Sequence, residues 1–592
     1  MKWLTAVAKL LAVSLAALGS LSGPATARAN EGVEGNWQGQ LIVTPQITLR
    51  ISIEITKGTN GSFSGNWGSP DEALSALPLE SIVLKGGVLT FRAKPTGATF
   101  KGKLNESETE VVGDWTQNGK NFAISFKRFD PSTVAVAPIP QELEGIWEGK
   151  LKFNAGIELR IALKVEKGKD GALKATLASP DQGANNIPIS SIGLKDDVLT
   201  LESKIIAAKF TGKRNKEKSA FEGEFNQGGV KLPLTLKKTD KIAEAARPQT
   251  PKPPFPYRSE EVVYENKVGG IKLAGTLTVP AGKGPFPAAI LITGSGAQDR
   301  DESILGHKPF LVLADYLTRR GVAVLRVDDR GVGGSTGSTT TSTSDDFAGD
   351  ALSGLDFLKG RTDIDSKMIG LIGHSEGGLI APIAAGRSQD VAYIVLMAGT
   401  GLPGSDILET QGQLILKAGG ASESEMKKER GHQKRLIDII ATEKDEQVAD
   451  AKLMAAWKEI VAAMPEAERK ALDATGGSLH EAAIKGFNNA WFRYFLTYDP
   501  RPTLRTVRCP VLAINGEKDL QVSAKENLAE IAKALQSGGN SNVKTVEFPG
   551  LNHLFQPCKT GSPSEYASIE MTIAPEALKT IGDWIALQTG NH

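Results

Sequence analysis

Cysteine is nearly absent: Cys509 and Cys558 are the only two in 592 residues, too few for a disulfide framework or an all-thiolate metal site. Stability must therefore come from packing. An excess of charge of one sign is lacking too. Lys plus Arg (69) nearly cancels Asp plus Glu (68), leaving a formal charge of +1, which removes the basic footprint of a nucleic-acid binder. Long apolar runs are missing beyond the N-terminus. There Lys2 precedes an apolar stretch broken by Lys9, continuing from Leu10 to Leu21 and ending at Ala27-Arg28-Ala29, a small-x-small cleavage pattern. Residues 1–29 are expected to be a secretory signal peptide rather than an anchor, with the chain exported to the periplasm or beyond and no stable membrane span left after cleavage.

What is present is ordinary globular material: 40% hydrophobic and 23% charged residues, with 64 Gly and 30 Pro, enough for about three or four domains rich in turns. The strongest signal is an internal repeat offset by 110 residues, from about Glu34–Asp130 to Glu144–Asp240. Gly35-Asn36-Trp37-Gln38-Gly39 matches Gly145-Ile146-Trp147-Glu148-Gly149, and Val88-Leu89-Thr90 matches Val198-Leu199-Thr200. Alternation over Leu49–Ile55 and Leu159–Val165, with Asn60-Gly61 and Asp170-Gly171 as turns, predicts two tandem all-β modules, barrel or sandwich, over 30–135 and 136–242. Their tryptophans could suggest a sugar-stacking platform. Replacement of Trp67 by Leu177 and Trp115 by Phe225 in the second copy favours core packing instead.

Five of the nine residues from Pro248 to Pro256 are proline, predicting a semi-rigid linker over 243–257. Beyond it, over 258–592, β-runs alternate with helical periodicity: Glu261–Glu265, Ile271–Val279, Ala288–Thr293, Val322–Val327, Ile369–Ile372, Ala392–Met397, Val511–Ile514 and Val543–Phe548. Eight strands with intervening helices predict an α/β domain with a mostly parallel sheet. Ser344 is the expected N-cap of the helix carrying Phe347, Ala351, Leu352, Leu355 and Leu358. About 110 residues separate Met397 from Val511, far more than a crossover needs. This interval predicts an α-helical cap over about 401–500, with Ser422 and Glu425 as a capping box and Val448, Ala451, Met454, Ala455 and Trp457 as the apolar stripe of one helix.

Gly373-His374-Ser375-Glu376-Gly377 matches GxSxG, in which small residues flank a serine on a strained strand-to-helix turn. Gly333-Gly334-Ser335-Thr336-Gly337 matches as well. Only Ser375 follows an apolar strand and precedes an apolar helix, although Pro382 inside that helix removes a backbone donor. A serine hydroxyl needs a histidine to take its proton and a carboxylate to hold that histidine. Asp519 follows the strand after the cap, with Glu517 as runner-up, and His553 follows the last strand; the expected catalytic set is Ser375, Asp519 and His553. The oxyanion donors expected are the amides of Glu376 and of Ser295 in the loop Gly294-Ser295-Gly296-Ala297, with Gly296 as the alternative. Gly294-x-Gly296 and Gly331-x-Gly333 lack the third glycine of a dinucleotide site, so no cofactor is implied. His307, His374, His432 and His480 form no pair at metal-ligand spacing, and His374 is read as packing at the elbow. Asp328-Asp329-Arg330 is expected to form structural ion pairs beneath the site loop. Cys509 and Cys558 are expected at opposite ends of the strands and therefore unpaired.

From about Tyr257 onward the chain resembles the bacterial EstD-like carboxylesterases of the α/β-hydrolase superfamily. The resemblance rests on Gly373-His374-Ser375-Glu376-Gly377-Gly378, Gly294 to Asp301, Asp329-Arg330-Gly331-Val332-Gly333, Asn515-Gly516-Glu517-Lys518-Asp519 and Leu551-Asn552-His553-Leu554-Phe555. It implies an α/β-hydrolase fold and hydrolysis of a small-molecule ester by Ser375, Asp519 and His553. Wider relatives include serine aminopeptidases, so an amide substrate is the alternative. A third reading makes the chain a ligand-binding or cell-envelope protein whose β-modules carry the biology.

Overall fold

The structure, a computed structural model, describes residues 32–590 except 45–46, 58–62, 70–73, 94–97, 118–119, 129–138, 153–157, 169–170, 181–183, 204–205, 207, 228–229, 243–245, 340, 467–468, 470–483 and 485. The signal-peptide segment, the Asn60-Gly61 turn, Asp170 and His480 lie outside the described residues. Among the described residues no helix is long and apolar enough to cross a membrane.

Eight antiparallel strands between Gly35 and Arg128 close into a barrel. The second copy is a nine-stranded curled sheet whose first strand, Gly145–Lys152, pairs with its last, Val230–Thr239. One long strand of the first barrel, Leu74–Lys85, corresponds to two short ones in the second, Ala184–Pro188 and Ser191–Lys195, and these form the two edges of that sheet. The repeat offset survives at the level of single bonds. Trp37 Nε1 donates to the Val33 carbonyl and Trp147 Nε1 to the Leu143 carbonyl, both at 2.9 Å. Trp37, Trp67, Trp115, Trp147 and Phe225 are buried, so these rings fill cores and offer no face for stacking a sugar.

The linker is more than a spacer. Arg247 donates to the carbonyls of Leu305 at 2.8 Å and Ala567 at 2.9 Å, and the Gln249 side chain both donates to Ile573 O (2.7 Å) and accepts from Thr572 N (2.6 Å). Its start is thus pinned to the surface of the third sheet's layer by bonds to backbone groups.

That sheet has eight strands: β1 (Arg258–Asn266), β2 (Ile271–Val279), β3 (Phe286–Ile292), β4 (Ala323–Val327), β5 (Ile364–His374), β6 (Ile394–Met397), β7 (Val511–Gly516) and β8 (Val543–Phe548). Their order is β1-β2-β4-β3-β5-β6-β7-β8. The β1–β2 and β2–β4 pairings are antiparallel and all others parallel. Strands β3 to β7 are buried on both faces, as Ala288–Ile292 and Leu512–Ile514 show, which explains their continuous apolar runs. Two cores result. One lies under helices α2 (Ser344–Lys359), α3 (Gly377–Arg387) and α9 (Ala524–Ser537), the other under α1 (Pro309–Arg319) and α10 (Pro575–Thr589).

Between β6 and β7 the chain forms α4 (Gly404–Ala418), α5 (Glu423–Thr442), α6 (Glu446–Ala462), α7 (Ala490–Thr497) and α8 (Pro500–Leu504). The Ser422–Glu425 capping box is present at α5. Two local expectations are corrected. The buried stripe of α6 is Ala449, Leu453, Ala456, Trp457 and Ile460, while Val448 is exposed; a period of 3.6 residues favours this set, which also meets Leu436, Ile437 and Ile440 of α5. The N-cap of α2 is Thr343, reciprocally bonded with Asp346, and not Ser344. Cys509 and Cys558 are free thiols, and burial pushes the Cys509 thiol up to about 12.

Candidate active site

Ser375 sits at the junction of β5 and α3 with φ at 54°, a left-handed conformation that a non-glycine residue adopts at a cost of about 1–3 kcal/mol. Backbone crowding explains the flanking glycines. A Cβ on Gly373 would lie 1.9 Å from the Gly377 carbonyl oxygen, and one on Gly377 2.1 Å from that of Ile292. The Ser375 amide donates to Met397 O of β6 at 2.8 Å, which fixes the turn against the sheet edge. Ser335, the other GxSxG serine, is buried: its hydroxyl accepts from Ala274 N at 2.9 Å and donates to Asp328 O at 2.7 Å. It is a structural clamp.

The loops beyond β7 and β8 bring Asp519 and His553 together. The Asp519 carboxylate receives His553 Nδ1 on one oxygen at 2.7 Å and the amides of Gln521 (2.8 Å) and Val522 (2.9 Å) on the other. With Nδ1 donating, His553 Nε2 is left as an acceptor, the tautomer a general base requires. Glu517 instead accepts from the Gly550 amide at 2.8 Å. Fully buried Asn552 holds the histidine loop by accepting from Leu554 N and Gln556 N at 3.0 and 2.9 Å. Among the described residues no hydrogen bond joins the Ser375 hydroxyl to His553. The His374 ring, next to Ser375, lies 4.9 Å from the His553 ring, centroid to centroid; in unliganded hydrolases the serine–histidine bond is often long and tightens with substrate.

His374 does more than pack. Its Nδ1 faces the Glu302 carboxylate at 2.9 Å and its Nε2 faces the His553 carbonyl at 3.1 Å. Both partners are acceptors when Glu302 is ionised, an arrangement that favours the doubly protonated, cationic imidazole. Burial opposes that charge, but the Glu302 carboxylate outweighs it and the His374 pKa is raised. Glu302 also accepts from the Gly294 amide at 2.8 Å. One buried carboxylate therefore ties the Gly294 loop, the elbow and the histidine loop together.

The loop after β3 approaches the serine closely: a Cβ on Gly294 would stand 3.3 Å from Ser375 Cβ. Among the described residues neither the Ser295 nor the Glu376 amide donates to a backbone carbonyl. Below the loop, Asp329 accepts from Thr293 Oγ1 at 2.7 Å and Gln298 N at 2.9 Å; burial pushes its carboxyl well above the ordinary range. Asp328 accepts from Arg300 Nη2 at 2.8 Å, and Asp350 from Arg330 Nη2 at 3.0 Å. The expected structural ion pairs are present for Asp328 and Arg330, while Asp329 has no cationic hydrogen-bond partner among the described residues.

The Glu376 side chain, unassigned by sequence reasoning, is 2% exposed. It accepts from Ser344 Oγ at 2.7 Å and from Trp491 Nε1 of α7 at 2.8 Å. Glu302, Ser344 and Trp491 were all missed. Ser344 was visible as a polar residue at a helix start and was given the cap role that belongs to its neighbour. Among the described residues no group of three or more His, Cys, Asp or Glu side chains is arranged to hold a metal ion.

An eight-stranded sheet of this order, with a serine raised on the turn after its fifth strand, is the α/β-hydrolase fold, and the C-terminal part of the chain is similar to hydrolases of the esterase and S15-peptidase type. It resembles the EstD-like carboxylesterases in particular: Esterase EstD of Thermotoga maritima is 27% identical over 340 residues, 56% of this chain and 71% of that protein. Residues 269–547 match the X-Pro dipeptidyl-peptidase (S15 family) model. Among solved structures, an esterase of Pyrococcus furiosus is similar at 16% identity over 59% of this chain and 100% of its own, with a TM-score of 0.35. Est1E from Butyrivibrio proteoclasticus is similar at 17% identity over 56% and 99%, with a TM-score of 0.32.

Proposed function

We propose that the chain is an exported carboxylesterase working through an acyl-enzyme. The Ser375 hydroxyl attacks the acyl carbonyl while His553 Nε2 takes its proton, and the amides of Glu376 and Ser295 donate to the oxyanion. His553 returns the proton to the departing alkoxide; a water, deprotonated in turn by His553, then releases the acid and restores Ser375. Asp519 keeps Nδ1–H in place and stabilises the imidazolium that forms. The observation carrying this reading is the buried 2.7 Å bond between Asp519 and His553, which in the neutral imidazole turns Nε2 into the proton acceptor. Export follows from the leader-like residues 1–29, and small-molecule esters are the substrate class. Ser375→Ala should abolish turnover of short-chain p-nitrophenyl esters and remove the mass gain with a fluorophosphonate; retained turnover or labelling elsewhere would refute the assignment.

The match of residues 269–547 to a peptidase family favours a second reading, hydrolysis of an aminoacyl amide by the same groups. Turnover of aminoacyl amides well above that of matched esters would select it. The two β-modules are proposed to position the catalytic part, their tryptophans being occupied as core. Binding of the full chain to cell-wall material would point instead to an envelope contact.

A further inference from the structure

The residue after the nucleophile carries a side chain that the proposed chemistry does not use. Two elements far apart in sequence converge on it: Ser344 at the start of α2 and Trp491 on the cap helix α7, both donating to one oxygen of its carboxylate. Neither donor is a cation, Ser344 is fully buried, and burial holds the Glu376 carboxyl above its usual range against the pull of these donors. Removing a carboxyl from water without a countercharge is costly unless its donors are fixed. Here both are placed by secondary structure or packing: Ser344 opens α2, and the Trp491 ring is stacked on Phe495 at 5.7 Å between centroids and 11° between planes.

We infer that the Glu376 side chain is a positioning residue, a strut through which the cap helix sets the oxyanion donor on the nucleophile elbow. The same residue offers one of the proposed oxyanion donors through its amide, so what holds its side chain also holds that amide. Trp491 extends this tie to the cap, so the seating of α7 and the geometry of the oxyanion hole form one unit. Because the two donors must lie within hydrogen-bond reach of the developing oxyanion and not of the ground-state carbonyl, loosening the strut acts on the chemical step more than on substrate binding.

The inference rests on the esterase reading, and its test separates the two. Ser375→Ala, Glu376→Ala, Glu376→Gln, Trp491→Phe and the Glu376→Ala/Trp491→Phe pair are compared on p-nitrophenyl acetate, the Ser375→Ala rate taken per protein and the others normalised to fluorophosphonate-titratable sites. Loss of one oxyanion donor costs on the order of 10²–10³ in kcat; a misaligned donor should cost less. Glu376→Ala should lower kcat by roughly 10- to 100-fold with KM changed by less than about 3-fold, and Glu376→Gln should recover most of it, since the amide oxygen still accepts from Ser344 and Trp491. Trp491→Phe should lower kcat alone but add nothing in the Glu376→Ala background, the signature of one shared interaction. A titrated kcat of Glu376→Ala equal to that of the parent, or additive effects in the pair, overturns the strut. Activity surviving Ser375→Ala overturns the underlying esterase reading instead.

Discussion

Asp519 and His553 lie 34 positions apart in sequence, yet their side chains meet at 2.7 Å with 5% of the His553 side chain and none of the Asp519 side chain exposed. A charge so enclosed needs several donors, and Asp519 has two backbone amides besides the imidazole. Asp519→Asn would keep the shape but present an amide to Nδ1 and favour the wrong tautomer. The expected result is a fall in kcat of about 10³–10⁴-fold with little change in thermal stability. Steady-state kinetics together with calorimetry measure both, and a parent-like kcat would remove Asp519 from the mechanism.

Ser335 should behave differently from Ser375 despite the shared motif. Ser335→Ala leaves the Ala274 amide and the Asp328 carbonyl without their buried partner. Each such loss costs about 1–3 kcal/mol. Denaturant unfolding should show a loss of roughly 2–3 kcal/mol, while kcat per titrated site stays within about twofold because no reacting group is touched.

His374 should titrate above the ordinary histidine value. Its folded pKa is raised over the unfolded one, so the stabilisation it contributes is complete below about 6.5 and is lost as pH rises through the folded value. Glu302→Gln removes the countercharge and leaves burial to dominate, so the same imidazole should then titrate below 6.5. Side-chain NMR titration reads both values, and an unchanged His374 pKa in the variant would break the proposed ion pair.

His307 carries the opposite sign. Burial first, then the charge of Arg247, lowers its pKa to about 4. The unfolded chain therefore binds a proton that the folded one refuses, and stability falls as pH drops from about 6.5 toward 4, by up to about 3 kcal/mol. His307→Gln should flatten that acid limb in urea unfolding series run at several pH values. A variant with the parent's full pH slope would place the acid sensitivity elsewhere.

Local patterning along the chain was enough to determine the tandem β-modules, the eight-strand α/β part, the helical insertion and the strand ends beyond which Ser375, Asp519 and His553 lie, because period-2 alternation, apolar runs and strained-turn glycines are properties of neighbouring residues. It also ranked Ser375 above Ser335, since only Ser375 had a strand before it and a helix after it. Which stripe of α6 is buried, whether Ser344 or Thr343 caps α2, and what surrounds Glu376 were decided by tertiary structure alone. A one-residue rotation on a helix changes little in local energy, and only packing against α5 selects Leu453, Ala456 and Ile460. Glu302, Ser344 and Trp491 are unremarkable in sequence; they acquire a role because folding excludes water around the Glu302 and Glu376 carboxylates and leaves His374 and the Gly294 amide to satisfy the first, Ser344 and Trp491 the second.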